Sequence, residues 1–475
     1  MKDKIFNILL IVFSLLFLIY PASYGMIDLK ISFLFIAVIV SIFYFLKKIR
    51  FKININEKYY PYIIICLCFI TRVIIVLIFN SYISQVSNFR DALNAAQTLN
   101  FSSKFYKIFS HWTLYPFILH CIFKIFGTSQ LVALLTNSVI LTINSFLIYK
   151  IGSVVANKKL GFISSIIYII WPANILYTLI VNPENLGISL LLFSTYLFLR
   201  LEYNTDLSQK RKILDLVIIG TFLGLSVFFK NFAPVLIIAF IIYYFLFVLK
   251  NNGSRKFLIS KVVSIIIIFV MFTLSKQIMF LAIDNLVGTK VARNIVPGFL
   301  NIGLRGDGTL SENRWVVYEE LLNKYDYDFK LANKEMTNSL IEDIKNNDSA
   351  VRKKGFFENK ANILFGGDYT RIDYVILSLG NHTYIKSLLS KYIIPLNNIF
   401  YIGVITFMAI EALFLMKQKN LGLILLEIII HGCALMLIIV EAQNRYMYSI
   451  QPFMCILASN GIITLKKEVC EKFSI

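Results

Sequence analysis

Residues 421–440 read LGLILLEIIIHGCALMLIIV. Twenty residues with one carboxylate and one imidazole rise about 30 Å as a helix, the thickness of a bilayer's hydrocarbon core. Such a stretch reads as a membrane span, and it recurs. Apolar stretches of the same kind lie at 5–21, 30–46, 60–80, 129–149, 160–180, 186–201, 213–229, 232–249, 261–283, 392–416 and 447–465. Of the 475 residues 58% are hydrophobic and 16% charged, where a soluble domain runs near half and a quarter. That excludes a soluble multidomain protein, and the abundance of Ile, Leu and Phe excludes disorder. Six Cys in so long a chain exclude a disulfide scaffold. The expectation is an all-α polytopic membrane protein with about 12 transmembrane helices.

Lys2 and Lys4 precede the first stretch as in a signal peptide. No convincing cleavage site follows and a second span comes at once, so a retained helix is expected. Lys and Arg in short loops stay cytoplasmic. Lys47, Lys48, Arg50, Lys52 and Lys58 put one loop inside. Counting spans from there, the inside loops carry Lys150, Lys158 and Lys159, then Arg200, Lys210, Arg211 and Lys212, then Lys250, Arg255, Lys256 and Lys261. Lys417, Lys419, Lys466 and Lys467 continue the series. The alternate loops are nearly free of basic residues: 181–185 has none and 441–446 has only Arg445. Both termini are therefore expected in the cytoplasm of a plasma-membrane protein. The net charge of +20 reads as a collar against anionic lipid, with the bilayer and not nucleic acid as its partner.

Two segments on the outer side are long. Residues 81–128 form the first, and within it 114–127 (LYPFILHCIFKIFG) are too short to span. An interfacial helix is expected there, with His120 and Lys124 at headgroups or water. The second runs over 284–391, with helix-like periodicity around 315–345. The domain reading is a transmembrane module at 1–283 that includes the first loop, an extracytoplasmic lid at 284–391, and C-terminal helices with a cytoplasmic tail at 392–475.

Charged groups at membrane depth are costly and point to function. Arg72, Lys276, Glu411, Glu427 and His431 lie within spans. Glu427 and His431, four apart, share a helix face and read as a proton relay or as a satisfied polar pair. The outer rim is richer. Asp91 is the only carboxylate of its segment and can serve as general base toward a hydroxyl if burial or like charge tunes it; a solvated helix acid is the plain alternative. Glu184 follows Asn182-Pro183, where a helix N-terminal acid is also ordinary. Glu441, Arg445 and Tyr446 share the last outer turn, and Lys230 ends a span at the same level. Arg suits planar recognition of phosphate, and Arg and Tyr also serve as interfacial anchors. Such a ring of cations and carboxylates fits a lipid phosphate. Asp326-Tyr327-Asp328 has the form of a metal-binding DxD, but a helix there would splay the two carboxylates.

Three stretches carry a family resemblance. Leu114-Tyr115-Pro116 to Phe126-Gly127 and the span to Lys150 form the first, Trp171-Pro172 through Asn182-Pro183-Glu184 to Arg200 the second, and Glu441 to Pro452 the third. In order and spacing, over about 80–461, they resemble the GT-C superfamily of integral-membrane glycosyltransferases. Within it the likeness is to protein mannosyltransferases and lipid A aminoarabinose transferases. The resemblance implies a GT-C-like bundle with juxtamembrane helices and a small extracytoplasmic domain. It implies transfer of a sugar from a polyprenyl-phosphate carrier to a hydroxyl of a cell-envelope acceptor, with inversion, at an extracytoplasmic site. Arg445, Tyr446, Lys230, Glu441 and His111 would bind the phosphate or acceptor, and Glu184 would orient substrate or hold a divalent cation together with Asp91. The family's first-loop motif resembles Asp-x3-Tyr-x3-Ala, and anchored on Ala96 its Asp falls on Asn88, which cannot act as a base. Asp91, three residues on and on the same helix face, is the carboxylate that stands in. A flippase of lipid-linked sugar and an envelope-glycan polymerase or ligase are the alternatives.

Overall fold

The computed structural model describes residue 12 and residues 55–204, 206–251, 255–309, 315–346, 348–418 and 420–472. The expected spans at 5–21 (but for Val12) and 30–46 lie outside these residues, as do Lys47, Lys48, Arg50 and Lys52. Among the described residues all regular structure is helical. The elements used below are α1 (Tyr60–Phe79), α2 (Ser87–Thr98), α3 (Leu114–Phe126), α4 (Gln130–Val155), α5 (Lys158–Ile170), α6 (Pro172–Leu176), α7 (Glu184–Tyr203), α8 (Gln209–Ser226) and α9 (Ala233–Asn251). They continue with α10 (Arg255–Val287), α11 (Val296–Gly303), α12 (Trp315–Lys324), α13 (Phe329–Lys345), α14 (Phe356–Phe365), α15 (Thr370–Ser378), α16 (Ile394–Gln418), α17 (Leu421–Ile439) and α18 (Gln451–Lys472).

Six helices among the described residues are long and apolar enough to cross a membrane: 57–79, 130–155, 184–203, 258–287, 383–414 and 421–439. The expected span at 160–180 is instead a bent pair, Lys158–Ile170 and Pro172–Leu179, with an angle of 66° between its halves. Pro172 is the cause. Proline lacks the N–H that would continue α5, and it drives the preceding residue toward extended backbone. Trp171 accordingly has ψ 116°. Helices also stand at the expected 213–229, 232–249 and 447–465, as α8, α9 and α18.

Side chains supply the caps that free N–H groups require. Ser129 accepts from Val132 N–H, Asn157 from Leu160 N–H and Asn420 from Gly422 and Leu423 N–H. α4 packs on α1, α5 and α7, α18 lies on α5 and α16, and α8 lies along α10 and α7. A Cβ on Gly152 would sit 2.7 Å from the Cα of Gly161, so α4 and α5 meet through small residues, as membrane helices do.

The short connections divide between the two ends of the bundle. At one end Asn420 Nδ2 donates to the Val155 carbonyl at 2.9 Å, and the Tyr203 hydroxyl bonds Asn420 Oδ1 at 3.0 Å. Lys158 lies 3.8 Å from Glu57 there. At the other end the turns at 181–185, 230–232 and 440–446 meet the two long segments.

α3 buries Leu114, Tyr115, Leu119 and Phe123 and leaves Ile125 and Phe126 76% and 70% exposed. It is therefore a one-sided surface helix packed on α2. His120 is half-buried, with its Nδ1 bonded to the Ala96 carbonyl at 2.8 Å, whereas Lys124 is exposed. The periodicity at 315–345 resolves into two helices, α12 and α13. Asp326 and Tyr327 break it with φ 46° and 62°, so this stretch is a left-handed turn and not the expected helix. Asp328 then caps α13, accepting from Lys330 N–H at 2.9 Å and Leu331 N–H at 3.1 Å. Glu427 and His431 pair within α17. The imidazole Nδ1 donates to the Glu427 carbonyl at 2.7 Å and lies 3.3 Å from its carboxylate.

Candidate active site

Pro183 takes helical backbone, Asn182 Oδ1 accepts the N–H of Asn185, and Glu184 becomes the first residue of α7. One turn on, a Cβ at Gly187 would lie 3.0 Å from Phe229 Cβ and 3.1 Å from Lys230 N. Glycine here lets the 229–230 backbone pass close, where a Cβ would have to push it back by a few tenths of an ångström. Lys230 is thereby delivered to Glu184: its Nζ donates to Oε1 at 2.9 Å and stands 4.1 Å over the Tyr446 ring. Burial pushes the Lys230 amine below its ordinary range, against the pull of Glu184. The other Glu184 oxygen, Oε2, is buried without a partner.

The turn after α17 brings the second carboxylate and the second cation. Glu441 accepts from the Tyr446 hydroxyl at 3.0 Å and from Gln443 Nε2. Burial raises its carboxyl, and Arg445 opposes the rise. The Arg445 guanidinium carbon lies 4.9 Å from the Tyr374 ring centre, 5.4 Å from that of Tyr446 and 5.7 Å from that of Phe89. Its Nε is buried without a partner, and among the described residues no carboxylate stands within ion-pair distance. The Tyr177 hydroxyl, close enough to feel both Glu184 and Arg445, is also unpartnered.

His111 completes the group. Burial and the Lys230 charge push its imidazole down to about 4, so it is neutral at pH 7 and meets a ligand as a dipole, not as a cation. The structure thus brings His111, Glu184, Lys230, Glu441, Arg445 and Tyr446 into one cluster. The Asp91 side chain makes no hydrogen bond or ion pair to any of them. α2 buries Phe89, Ala92, Leu93, Ala95 and Ala96, which turns Asp91 to the exposed face and leaves Asn88 half-buried. The Asp91 carbonyl accepts from the Tyr106 hydroxyl at 3.0 Å. The burial that the sequence reading invoked to tune this carboxylate is therefore missing. α2 reaches the cluster through Phe89 instead, and it opens on Ser87 at φ 51°, a strained conformation for serine.

Toward a divalent cation, Glu184 has one oxygen bonded by Lys230 and the other buried without a partner, Asp91 is exposed, and no group of three or more His, Cys, Asp or Glu gathers among the described residues.

Several residues at the site went unread in the sequence. Tyr374 underlies Arg445 and is positioned by α15, which is anchored by Arg371. That buried guanidinium donates to Asp368 at 3.1 and 2.5 Å, to Gln451 at 2.8 Å and to Asn174. Asp368 also accepts from Trp171 Nε1 at 2.9 Å, so the break in the α5–α6 span is where α15 is tied down. The only signal in the sequence was the spacing of an Asp and an Arg three apart.

A family model described as dolichyl-phosphate-mannose-protein mannosyltransferase matches residues 110–278. The first two stretches of the resemblance fall inside that match, and Glu441 to Pro452 fall outside it. No curated protein matches the sequence. Among solved structures, the Archaeoglobus fulgidus oligosaccharyltransferase in its apo form is similar with a TM-score of 0.50 at 13% identity, covering 88% of this chain and 52% of that one. The same archaeal protein, AglB, in complex with an inhibitory peptide and a dolichol-phosphate gives 0.49 at 13% identity, with 88% and 52% covered. Its complex with Zn and sulfate gives 0.44 at 14% identity, with 80% and 44% covered. The likeness is one of fold, and the chain spans about half the length of that archaeal protein. In sequence over 110–278 and in fold more widely, the chain resembles the GT-C superfamily of integral-membrane glycosyltransferases, protein mannosyltransferases among them.

Proposed function

We propose that the chain transfers a sugar from a polyprenyl-phosphate carrier to a hydroxyl of a cell-envelope acceptor at the outer face of the plasma membrane. One observation carries this reading. Arg445 is a guanidinium held by aromatic rings, with no carboxylate paired to it among the described residues and one buried N–H unpartnered. A fork of N–H donors kept free of ion pairs suits a phosphate oxygen. The family match at 110–278 supports the same donor class.

In this reading the lipid tail stays in the bilayer, and about 12 spans with both termini inside put the cluster at the outer headgroup level. Residues 284–391 act as a lid over a module at 1–283, and 392–475 close the bundle. The bond from the anomeric carbon to the phosphate oxygen breaks as the acceptor oxygen attacks from the opposite face, with inversion. Arg445 and Lys230 stabilise the negative charge that builds on the departing polyprenyl phosphate. Tyr446 and Glu441 fix Arg445 in place, and neutral His111 hydrogen-bonds donor or acceptor. Glu184 holds Lys230 and directs its free oxygen at the sugar. Asp91, on the open face of α2, takes the acceptor's proton. Lys230 supplies the charge at Glu184 that a divalent cation would bring.

Mass spectrometry of envelope polymers from a strain lacking the chain tests this. A sugar is expected to be lost, to return with the wild-type chain, and to stay lost with a folded Asp91→Asn variant. Full restoration by that variant removes Asp91 as the base. Movement of labelled lipid-linked sugar across vesicles with no new glycosidic bond would make the chain a flippase.

A further inference from the structure

Beside the cationic cluster, the 284–391 segment meets the last turn across a cleft of about 310 Å³. Its walls include Tyr369, Thr370 and Tyr374 on one side and Gln443 and Asn444 on the other. We propose that this cleft binds a single neutral sugar ring. The inference rests on the transferase reading for its role, and on the cleft's own chemistry for its ligand.

The side chains argue for the ligand class. Tyr369 and Tyr374 line the cleft, and the π surface of an aromatic ring attracts the slightly positive C–H face of a pyranose. The two amides have fixed orientations. Gln443 Nε2 is committed to the Glu441 carboxylate, which leaves its Oε1, a buried acceptor, without a partner. Asn444 Oδ1 accepts from Thr370 N–H at 3.3 Å, which leaves its Nδ2, a buried donor, without a partner. Asn444 is only 2% exposed, and an unmet buried donor costs about 1–3 kcal/mol. One unmet donor and one unmet acceptor on residues that line the cleft match a hydroxyl, which both gives and takes. The five walls just named are uncharged, so a carboxylate or phosphate finds no counter-charge on them. The volume lies at the small end of the roughly 300–1,000 Å³ typical of ligand sites, which suits one ring and not a chain.

Position argues for relevance to the reaction. Tyr374 lines the cleft and also underlies Arg445, with 4.9 Å between its ring centre and the guanidinium carbon. A sugar in the cleft is thus one aromatic ring away from the cation assigned to the phosphate. Either the donor's sugar or the acceptor's terminal sugar supplies this chemistry.

The test uses the full chain in detergent micelles and saturation-transfer NMR. The probes are methyl α-mannoside, methyl α-glucoside and methyl β-galactoside, with glucuronate and mannose 6-phosphate as anionic counterparts. At least one neutral glycoside is expected to bind saturably and at least tenfold more tightly than the anionic sugars. Asn444→Leu removes the amide and Thr370→Trp fills the cleft, and each is expected to weaken that binding at least tenfold with the melting temperature preserved. No saturable binding, binding unchanged in a folded Thr370→Trp variant, or preference for the anionic sugars overturns the proposal. Farnesyl-phosphoryl-mannose and farnesyl phosphate separate the sources. Displacement by the first alone assigns the cleft to the donor's ring, and co-occupancy with it assigns the cleft to the acceptor's. Displacement by farnesyl phosphate itself overturns the proposal, because a phosphate would then fill the cleft. If farnesyl phosphate binds in an Arg445-dependent way and no glycoside does, the transferase reading stands and the cleft inference falls. The converse result removes the transferase reading.

Discussion

Arg371 and Arg445 are both surrounded by aromatic rings, yet they differ in what their N–H groups do. Arg371 is fully buried, its guanidinium carbon is 4.5 Å from the Tyr448 ring centre, and it bonds Asp368, Asn174 and Gln451. Arg445 has rings on three sides, no carboxylate partner among the described residues, and an unpartnered Nε. A buried charge whose bonds are made inside the protein holds the fold together. A cation left unpaired in a half-buried site is costly unless something else binds it. The first arginine belongs to architecture, and the second fits the phosphate role proposed for it.

The sharpest way to break this contrast is Arg371→Met. It strands the Asp368 carboxylate in a buried site, which costs roughly 3–5 kcal/mol. Thermal unfolding of the purified chain should show a large fall, and Arg371→Met combined with Asp368→Asn should recover part of it. A single variant as stable as wild type would erase the architectural role. Arg445→Met should do the reverse. Its melting temperature should hold, while farnesyl phosphate binding falls at least tenfold and sugar transfer falls about 100-fold or more, the usual effect of losing one donor to a developing oxyanion. Stability loss without binding loss would place Arg445 alongside Arg371.

The smallest effect concerns how the last turn is held. Lys360 of α14 is buried and donates to the carbonyls of Gly303 and Val440 at 2.5 and 2.7 Å. Gly303 must be glycine, since a Cβ there would strike the Val440 backbone. Burial pushes the Lys360 amine down to about 8, whereas an unfolded lysine titrates near 10.4. Between about pH 8 and pH 10 the unfolded chain therefore holds more protons, and stability rises with pH across that window. Lys360→Met should flatten the rise in melting temperature over that range. An unchanged slope would mean that Lys360 is not the group responsible.

Much of the scaffold was legible because a span advertises itself locally. The helices at 57–79, 130–155, 184–203 and 421–439 stand where runs of apolar residues placed them. The bend at Trp171-Pro172 and the split at Asp326 and Tyr327 were not read, although proline and left-handed backbone are local causes. Periodicity averages over such breaks. At the site, Glu184, Lys230, Glu441, Arg445 and Tyr446 were singled out by charge and depth and His111 by the family resemblance, and the structure gathers them. Asp91 was chosen as a lone carboxylate, and the buried face of α2 turns it outward.

The sequence by itself determined a helical membrane protein and singled out charged residues between its apolar stretches, because apolar length and the distribution of charge are properties of the chain. Only the tertiary structure decided which polar groups are satisfied. Lys230 reaches Glu184 because the 229–230 backbone passes close to Gly187, and Gln443 and Asn444 line a cleft because residues of the 284–391 segment fold back over the last turn. Those contacts join residues far apart in sequence, and pairing across such distances leaves no local mark.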